Sequence, residues 1–257
     1  MAEFSEYEPG TPSWVDLAST DLAASKAFYT GLFGWQADDV PDPSAGGYGF
    51  FTLRGKMVAG YGPTMMPGQP SAWSTYVSVD DADKTAEAVL GAGGGVVAAP
   101  MDLPNDSGRM AVFTDAEGAF ISVFQPAGHK GAQLANEPGA FCWNELDTRD
   151  LAAAKSFYPA VFGWTVEGGS NEAMEYYEFK RGGTAPVAGL MPMPPDVPAE
   201  VPAMWLTYFA VADTDASVAE AGRLGASIWR EPLDTPAGRL AVIGGPQGET
   251  FAIIALP

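Results

Sequence analysis

Two carboxylates recur at one place in this chain. Asp16 lies in WVDLASTDLAASKAFYTGLFGW (14–35) and Glu145 in WNELDTRDLAAAKSFYPAVFGW (143–164), at a constant offset of 143 − 14 = 129. Each stands two residues beyond a tryptophan, Trp14 or Trp143. A carboxyl walled by aromatic rings loses hydration, and its pKa climbs toward the neutral range where a general acid or base works best. Tyr76 in WSTYVSVDDAD and Tyr208 in WLTYFAVADTD give each half a phenol as an orienting donor. The chemistry implied is proton transfer on an organic guest held between tryptophans, with Trp73 and Trp205 as further rims. A structural role competes with it: both acids would accept hydrogen bonds from backbone N–H groups or a tyrosine and lock the modules together.

Nucleophilic chemistry has little to draw on. Cys142 is the single cysteine and His129 the single histidine. Cys142 sits in the apolar run AFCW, as a buried structural thiol does. Asp102 with Arg109, and Asp234 with Arg239, are spaced to pair across a β-turn and brace two strands.

The elements that must position these residues repeat as well. PMDLP from Pro100 answers PLDTP from Pro232, and GRMAVF from Gly108 answers GRLAVI from Gly238. Four paired segments in one order predict two halves, 10–126 and 138–257, joined by a linker at 127–137 that leaves His129 exposed. Within the first half, a strand at Pro12–Ser19 leads to a helix capped by Asp21, with Ala24, Phe28 and Leu32 on its apolar side and Gly34 as its stop. Strands follow near Tyr48–Leu53 and Met57–Tyr61, then a strand at Ser71–Val79, a helix at Asp83–Leu90 ended by Gly91, and three more strands. That is βαβββ twice per half. Pro159 predicts a kink or an early last turn in the second half's first helix. The proline-rich stretch 191–204 reads as a long stiffened loop, and Met65, Met66, Met191 and Met193 as adaptable apolar lids or ordinary loop packing.

With 257 residues, 47% hydrophobic and 18% charged, the chain has the composition of a folded globular protein of about two domains. Its formal charge of −19 repels phosphate backbones and anionic lipid surfaces, which argues against nucleic-acid and membrane partners. The acidic N-terminus resembles no signal peptide, so a cytoplasmic location is expected. A monomer is expected too, because duplication supplies a pseudo-dimeric contact within one chain.

The segments DLAASKAFYTGLFGW and DLAAAKSFYPAVFGW resemble the vicinal oxygen chelate superfamily of glyoxalase I, bleomycin-resistance proteins, fosfomycin-resistance enzymes and extradiol dioxygenases. The resemblance implies an α+β fold of two tandem glyoxalase-like domains, each of two βαβββ modules that form a curled mixed sheet around a cavity. In that family a metal-binding histidine stands on the first strand of each module, seven residues before the helix-capping aspartate, and a glutamate on each last strand. Here those positions hold Trp14 and Trp143, with Ser74 and Leu206 in the second modules, and the closing strands AFISVFQP and TFAIIALP carry no ligand. The resemblance therefore implies no bound metal, and nothing in the chain asks for another cofactor. If position 14 faces the cavity, strand alternation places Asp16 there as well, with Ser74 and Tyr76 beside it and Glu145 and Tyr208 in the second half.

Three functions stand open on this reading. One is a metal-independent acid–base enzyme, of isomerase, lyase or cyclase type, on a small aromatic or polycyclic metabolite. The second is a non-catalytic binder that sequesters such a molecule, as drug-resistance relatives do. The third is a metal enzyme with carboxylate ligands.

Overall fold

A computed structural model describes residues 3–170 and 175–257. The first half runs β1 (Pro12–Ser19), α1 (Leu22–Phe33), β2 (Gln36–Asp39), β3 (Gly49–Leu53), β4 (Lys56–Pro63), β5 (Ala72–Ser78), α2 (Ala82–Gly91), β6 (Gly95–Asp102), β7 (Gly108–Thr114) and β8 (Phe120–Pro126). The second repeats it with β9 (Phe141–Thr148), α3 (Leu151–Phe162), β10 (Thr165–Ser170), β11 (Glu175–Arg181), β12 (Ala185–Pro192), β13 (Met204–Ala210), α4 (Thr214–Arg223), β14 (Ser227–Thr235), β15 (Gly238–Gly244) and β16 (Thr250–Ala255). Each half forms one open eight-stranded sheet, ordered β2-β3-β4-β1-β5-β8-β7-β6 and β10-β11-β12-β9-β13-β16-β15-β14. Modules meet at the antiparallel pairs β1–β5 and β9–β13, while β4, β8, β12 and β16 run parallel to their module's first strand. This is the expected α+β fold of tandem βαβββ modules.

Local sequence explains each helix. Asp21, Asp81, Asp150 and Asp213 cap all four, each accepting from the backbone N–H three residues on at 2.9 to 3.0 Å. Such a cap contributes about 1 kcal/mol. Gly34 and Gly163 end α1 and α3 at φ +69° and +66°, a left-handed conformation that a Cβ disfavours. The expected early last turn at Pro159 is absent, and α3 spans the same 12 residues as α1. Proline removes a single intrahelical bond there, and the buried rings of Phe157 and Tyr158 hold the turn in place.

Strand alternation divides each sheet into an inner face turned to the other half and an outer face turned away. Inner residues join the halves at close range: Thr75 Oγ1 meets Asn144 Oδ1 at 2.7 Å, and Trp73 lies 4.9 Å from Phe209 between ring centroids. Helix α1 packs its Phe28 and Tyr29 against Phe251 of the second half. Two hydrogen-bonded relays cross this boundary. Trp73 Nε1 donates to Tyr29 Oη (2.9 Å), which donates to Glu249 Oε1 (2.8 Å). Trp205 Nε1 donates to Tyr158 Oη (2.9 Å), which donates to Asp115 Oδ2 (2.9 Å). Trp35 and Trp164 complete the exchange by donating to the carbonyls of Gly139 and Gly10 at 2.7 and 2.8 Å.

The segment after β8 is built into the first half. Ala132, Leu134 and Ala135 are buried, and the Ala132 N–H donates to the Ser13 carbonyl at 2.8 Å. His129 is thereby not exposed, contrary to the sequence expectation. Its ring stands 4.6 Å from Trp14 and 5.3 Å from Phe124, and burial pushes its pKa down to about 4. The turn pairs do form: Arg109 meets Asp102 at 2.7 Å and Asp83 at 3.0 Å, and Arg239 meets Asp234 at 3.0 Å and Asp215 at 2.6 Å.

Candidate active site

Asp16 and Glu145 lie on the outer faces of the central strands β1 and β9. In the first half Ser74 of β5 stands opposite Asp16 and Tyr76 opposite Trp14, so these four residues share one face. Tyr76 Oη donates to Asp16 Oδ2 at 2.9 Å, and Tyr48, from the loop before β3, donates to the same oxygen at 3.3 Å. Trp14 Nε1 in turn donates to Tyr48 Oη at 3.1 Å. Both phenols fall on Oδ2, while Oδ1 receives no donor from a described residue and solvent still touches the half-buried side chain. Burial lifts the Asp16 pKa to about 6 against the opposing pull of Tyr76 and Tyr48.

The second half repeats the clamp more deeply. Tyr208 Oη donates to Glu145 Oε1 at 2.6 Å, Trp143 Nε1 donates to Tyr176 Oη at 3.0 Å, and the Tyr176 hydroxyl acts on the Glu145 carboxyl to favour its charged form. Leu206 stands opposite Glu145 where the first half has Ser74. Burial raises the Glu145 pKa, opposed by Tyr208, Tyr176 and the charge of Arg230. Arg230 comes from the edge strand β14, yet its charge acts on an acid of central β9, because the sheet curls about its outer face.

Trp73 and Trp205 do not rim this face. They are one residue out of phase with Ser74 and Leu206, so alternation turns them inward to Tyr29 and Tyr158. Among the methionines, Met65 and Met66 are exposed, while Met193 is buried. Cys142 donates weakly to the Tyr208 carbonyl at 3.6 Å, and burial pushes its thiol up to about 12.

Tyr48, Tyr176, Asp147, Arg230 and His129 were missed in the sequence. A signal for the two tyrosines exists in the paired glycines Gly60 and Gly189, which stand beside Asp16 and Glu145 in the register. A Cβ on Gly60 would come 2.0 Å from Tyr48 Oη, and one on Gly189 2.1 Å from Tyr176 Oη. These glycines make room for the second phenol. Gly60→Ala is therefore expected to push Tyr48 off Asp16, cost about 1–3 kcal/mol by overpacking, and raise the Asp16 pKa further. Carboxyl titration by NMR checks the shift, and an unchanged pKa would contradict it.

The sequence profile of the Glyoxalase/Bleomycin resistance protein/Dioxygenase superfamily matches residues 11–123 and 131–253. The chain belongs to this superfamily. Over 99% of its length it is 44% identical to CFP32 of Mycobacterium tuberculosis, a protein named as a glyoxylase, and covers 98% of that protein. It is 41% identical to the anthracycline biosynthesis protein DnrV of Streptomyces peucetius, covering 97% of this chain and 94% of the other. In fold it matches the Mn(II)-bound glyoxalase of Novosphingobium aromaticivorans, with TM-score 0.66, 18% identity, and 96% and 82% of the two chains covered. The 2,2',3-trihydroxybiphenyl 1,2-dioxygenase of Sphingomonas wittichii strain RW1 gives TM-score 0.65 at 13% identity, over 96% and 91%.

Superfamily membership raises the question of a metal, and the donor set does not fit one. In the first half Trp14, Ser74 and Ser122 line the face around Tyr76, and in the second Trp143, Leu206 and Ala252 take their places. Indole and alkyl groups offer no lone pair to a divalent ion, and serine is a poor ligand for transition metals. Among the described residues, no three His, Cys, Asp or Glu side chains assemble in a way that could hold an ion.

Proposed function

We propose that this superfamily member is a metal-independent acid–base enzyme, of isomerase, lyase or cyclase type, acting on a small aromatic or polycyclic metabolite. The observation that carries the proposal is Asp16: two phenols fix one carboxyl oxygen and leave the other without a donor among the described residues. A base needs that combination of fixed orientation and one free lone-pair oxygen. Tyr76 and Tyr48 orient it, Trp14 flanks it, and Glu145 with Tyr208 and Tyr176 repeats the device in the second half. Relatives named for anthracycline biosynthesis favour a fused-ring substrate class. The nest of Trp14, Phe50, Phe124 and His129 supports a second reading, a binder that stacks the same class of guest without turnover.

With Asp16 as base, kcat/KM is expected to rise with pH through about 6, where Asp16 loses its proton, and then level off. A chelator should leave the rate unchanged. Steady-state rates on fused-ring phenols and ketones, measured from acidic to mildly basic pH with and without chelator, check both points. A rate lost on chelation and restored by added metal would defeat the metal-independent mechanism, and binding with no product would hand the site to the binder.

A further inference from the structure

The second half carries an acid that the first lacks. Asp147 lies two residues beyond Glu145 on the same face of β9, between Met191 of β12 and Met204 of β13, and its counterpart at 147 − 129 is Ala18. Asp147 is only 5% exposed, and its Oδ1 has no hydrogen-bond partner among the described residues. A buried carboxyl oxygen without a donor is costly, so it demands a proton or a cation. Arg230 is the nearby cation, but its Nη2 is engaged by Asp196 at 3.2 Å, in a pair whose members are 38% and 74% exposed. Its charge acts on Asp147 and Glu145 without a hydrogen bond to either.

We propose that Asp147 and Glu145 form a receptor for the protonated amine of a small aromatic ligand, flanked by Trp143, Tyr176 and Tyr208. An ammonium brings the donors that Oδ1 lacks, a charge that meets both acids, and a cation for the aromatic faces. The first half, with Ala18 and one acid, has no such preference. This inference rests on the reading of the outer face as a small-molecule site, and it names the ligand class of the second half. Burial and the neighbouring Glu145 push the Asp147 pKa up, so an arriving ammonium favours loss of its carboxyl proton.

The test is calorimetric titration of the full chain at pH 7 with two probes of one shape, naphthylmethylamine and naphthylmethanol. The amine is expected to bind at least about tenfold tighter than the alcohol, the gain of one charge-assisted hydrogen bond. Titration in two buffers of different ionisation heat should show proton release with the amine alone. Asp147→Asn should erase the preference while leaving alcohol binding in place, and Asp16→Asn should leave the preference intact. Asp147→Ala, which installs the residue of the first half, is the second variant, and thermal melts verify that both fold. Equal binding of the two probes, no binding of the amine, or a preference that survives in both Asp147 variants overturns the proposal. None of these readouts requires turnover, so loss of the amine preference and loss of acid–base activity are separate results.

Discussion

Asp16→Asn is expected to lower kcat by about 100-fold to 10,000-fold, the usual contribution of a positioned general base, while raising stability at pH 8. Asparagine keeps the size of aspartate and can still accept from Tyr76, but it cannot take a proton. The stability gain follows from linkage. The folded state holds the Asp16 proton up to about pH 6, whereas an unfolded aspartate releases it near 3.8. Stability from this residue is therefore fully present below the unfolded value and is lost as pH rises through about 6. At one pKa unit per 1.36 kcal/mol, the cost above pH 6 is at most about 3 kcal/mol. The asparagine variant avoids that cost, so the denaturation midpoints of the two proteins should converge at pH 4 and separate at pH 8. Glu145→Gln should behave alike if the second half also turns over, because burial raises Glu145 in the same direction. A variant that keeps full activity and loses stability at pH 8 would place Asp16 among braces, not catalytic groups.

Tyr158→Phe should cost about 3–5 kcal/mol, from one oxygen atom. Its hydroxyl accepts from the Trp205 indole and donates to the Asp115 carboxyl, and all three residues are buried. Phenylalanine leaves an indole N–H and a carboxyl oxygen without partners, each costing about 1–3 kcal/mol and more where charge is involved. The carboxyl cannot turn elsewhere, since its Oδ1 already accepts from the N–H groups of Glu117, Gly118 and Ala119 at 2.9 Å. Tyr29→Phe should act in the same way through Trp73 and Glu249. Urea denaturation reads both, and a loss below about 1 kcal/mol in each would mean that water enters and replaces the phenol.

The repeat made the fold legible, because any feature needed by both halves appears twice in one order. Asp16 with Tyr76 and Glu145 with Tyr208 were found by combining that repeat with strand alternation. The same alternation, applied one residue earlier, turns Trp73 and Trp205 to the opposite face, and the structure follows it. Asp147 and Arg230 escaped because they occur in one half alone, with Ala18 at the first half's matching place for Asp147, so the repeat is silent about them. His129 escaped for a different reason. Glycine and polar residues around it read as a free connector, yet backbone bonds from His129 to Ser107 and from Ala132 to Ser13 draw it onto the sheet. Such contacts between distant segments leave no periodic trace in a sequence.

The crossed relays have an evolutionary consequence. A gene copied in tandem ordinarily leaves its second copy free to decay, because the first still folds and works. Here Tyr29 is completed by Glu249 and Tyr158 by Asp115, so each copy carries the groups that satisfy the buried polar atoms of the other. A lesion at either carboxyl is felt as a defect in its sister's core, and selection on one half's chemistry preserves the scaffold of both. The outer faces bear no such mutual obligation, and there the copies differ freely, with alanine against aspartate at 18 and 147 and serine against leucine at 74 and 206.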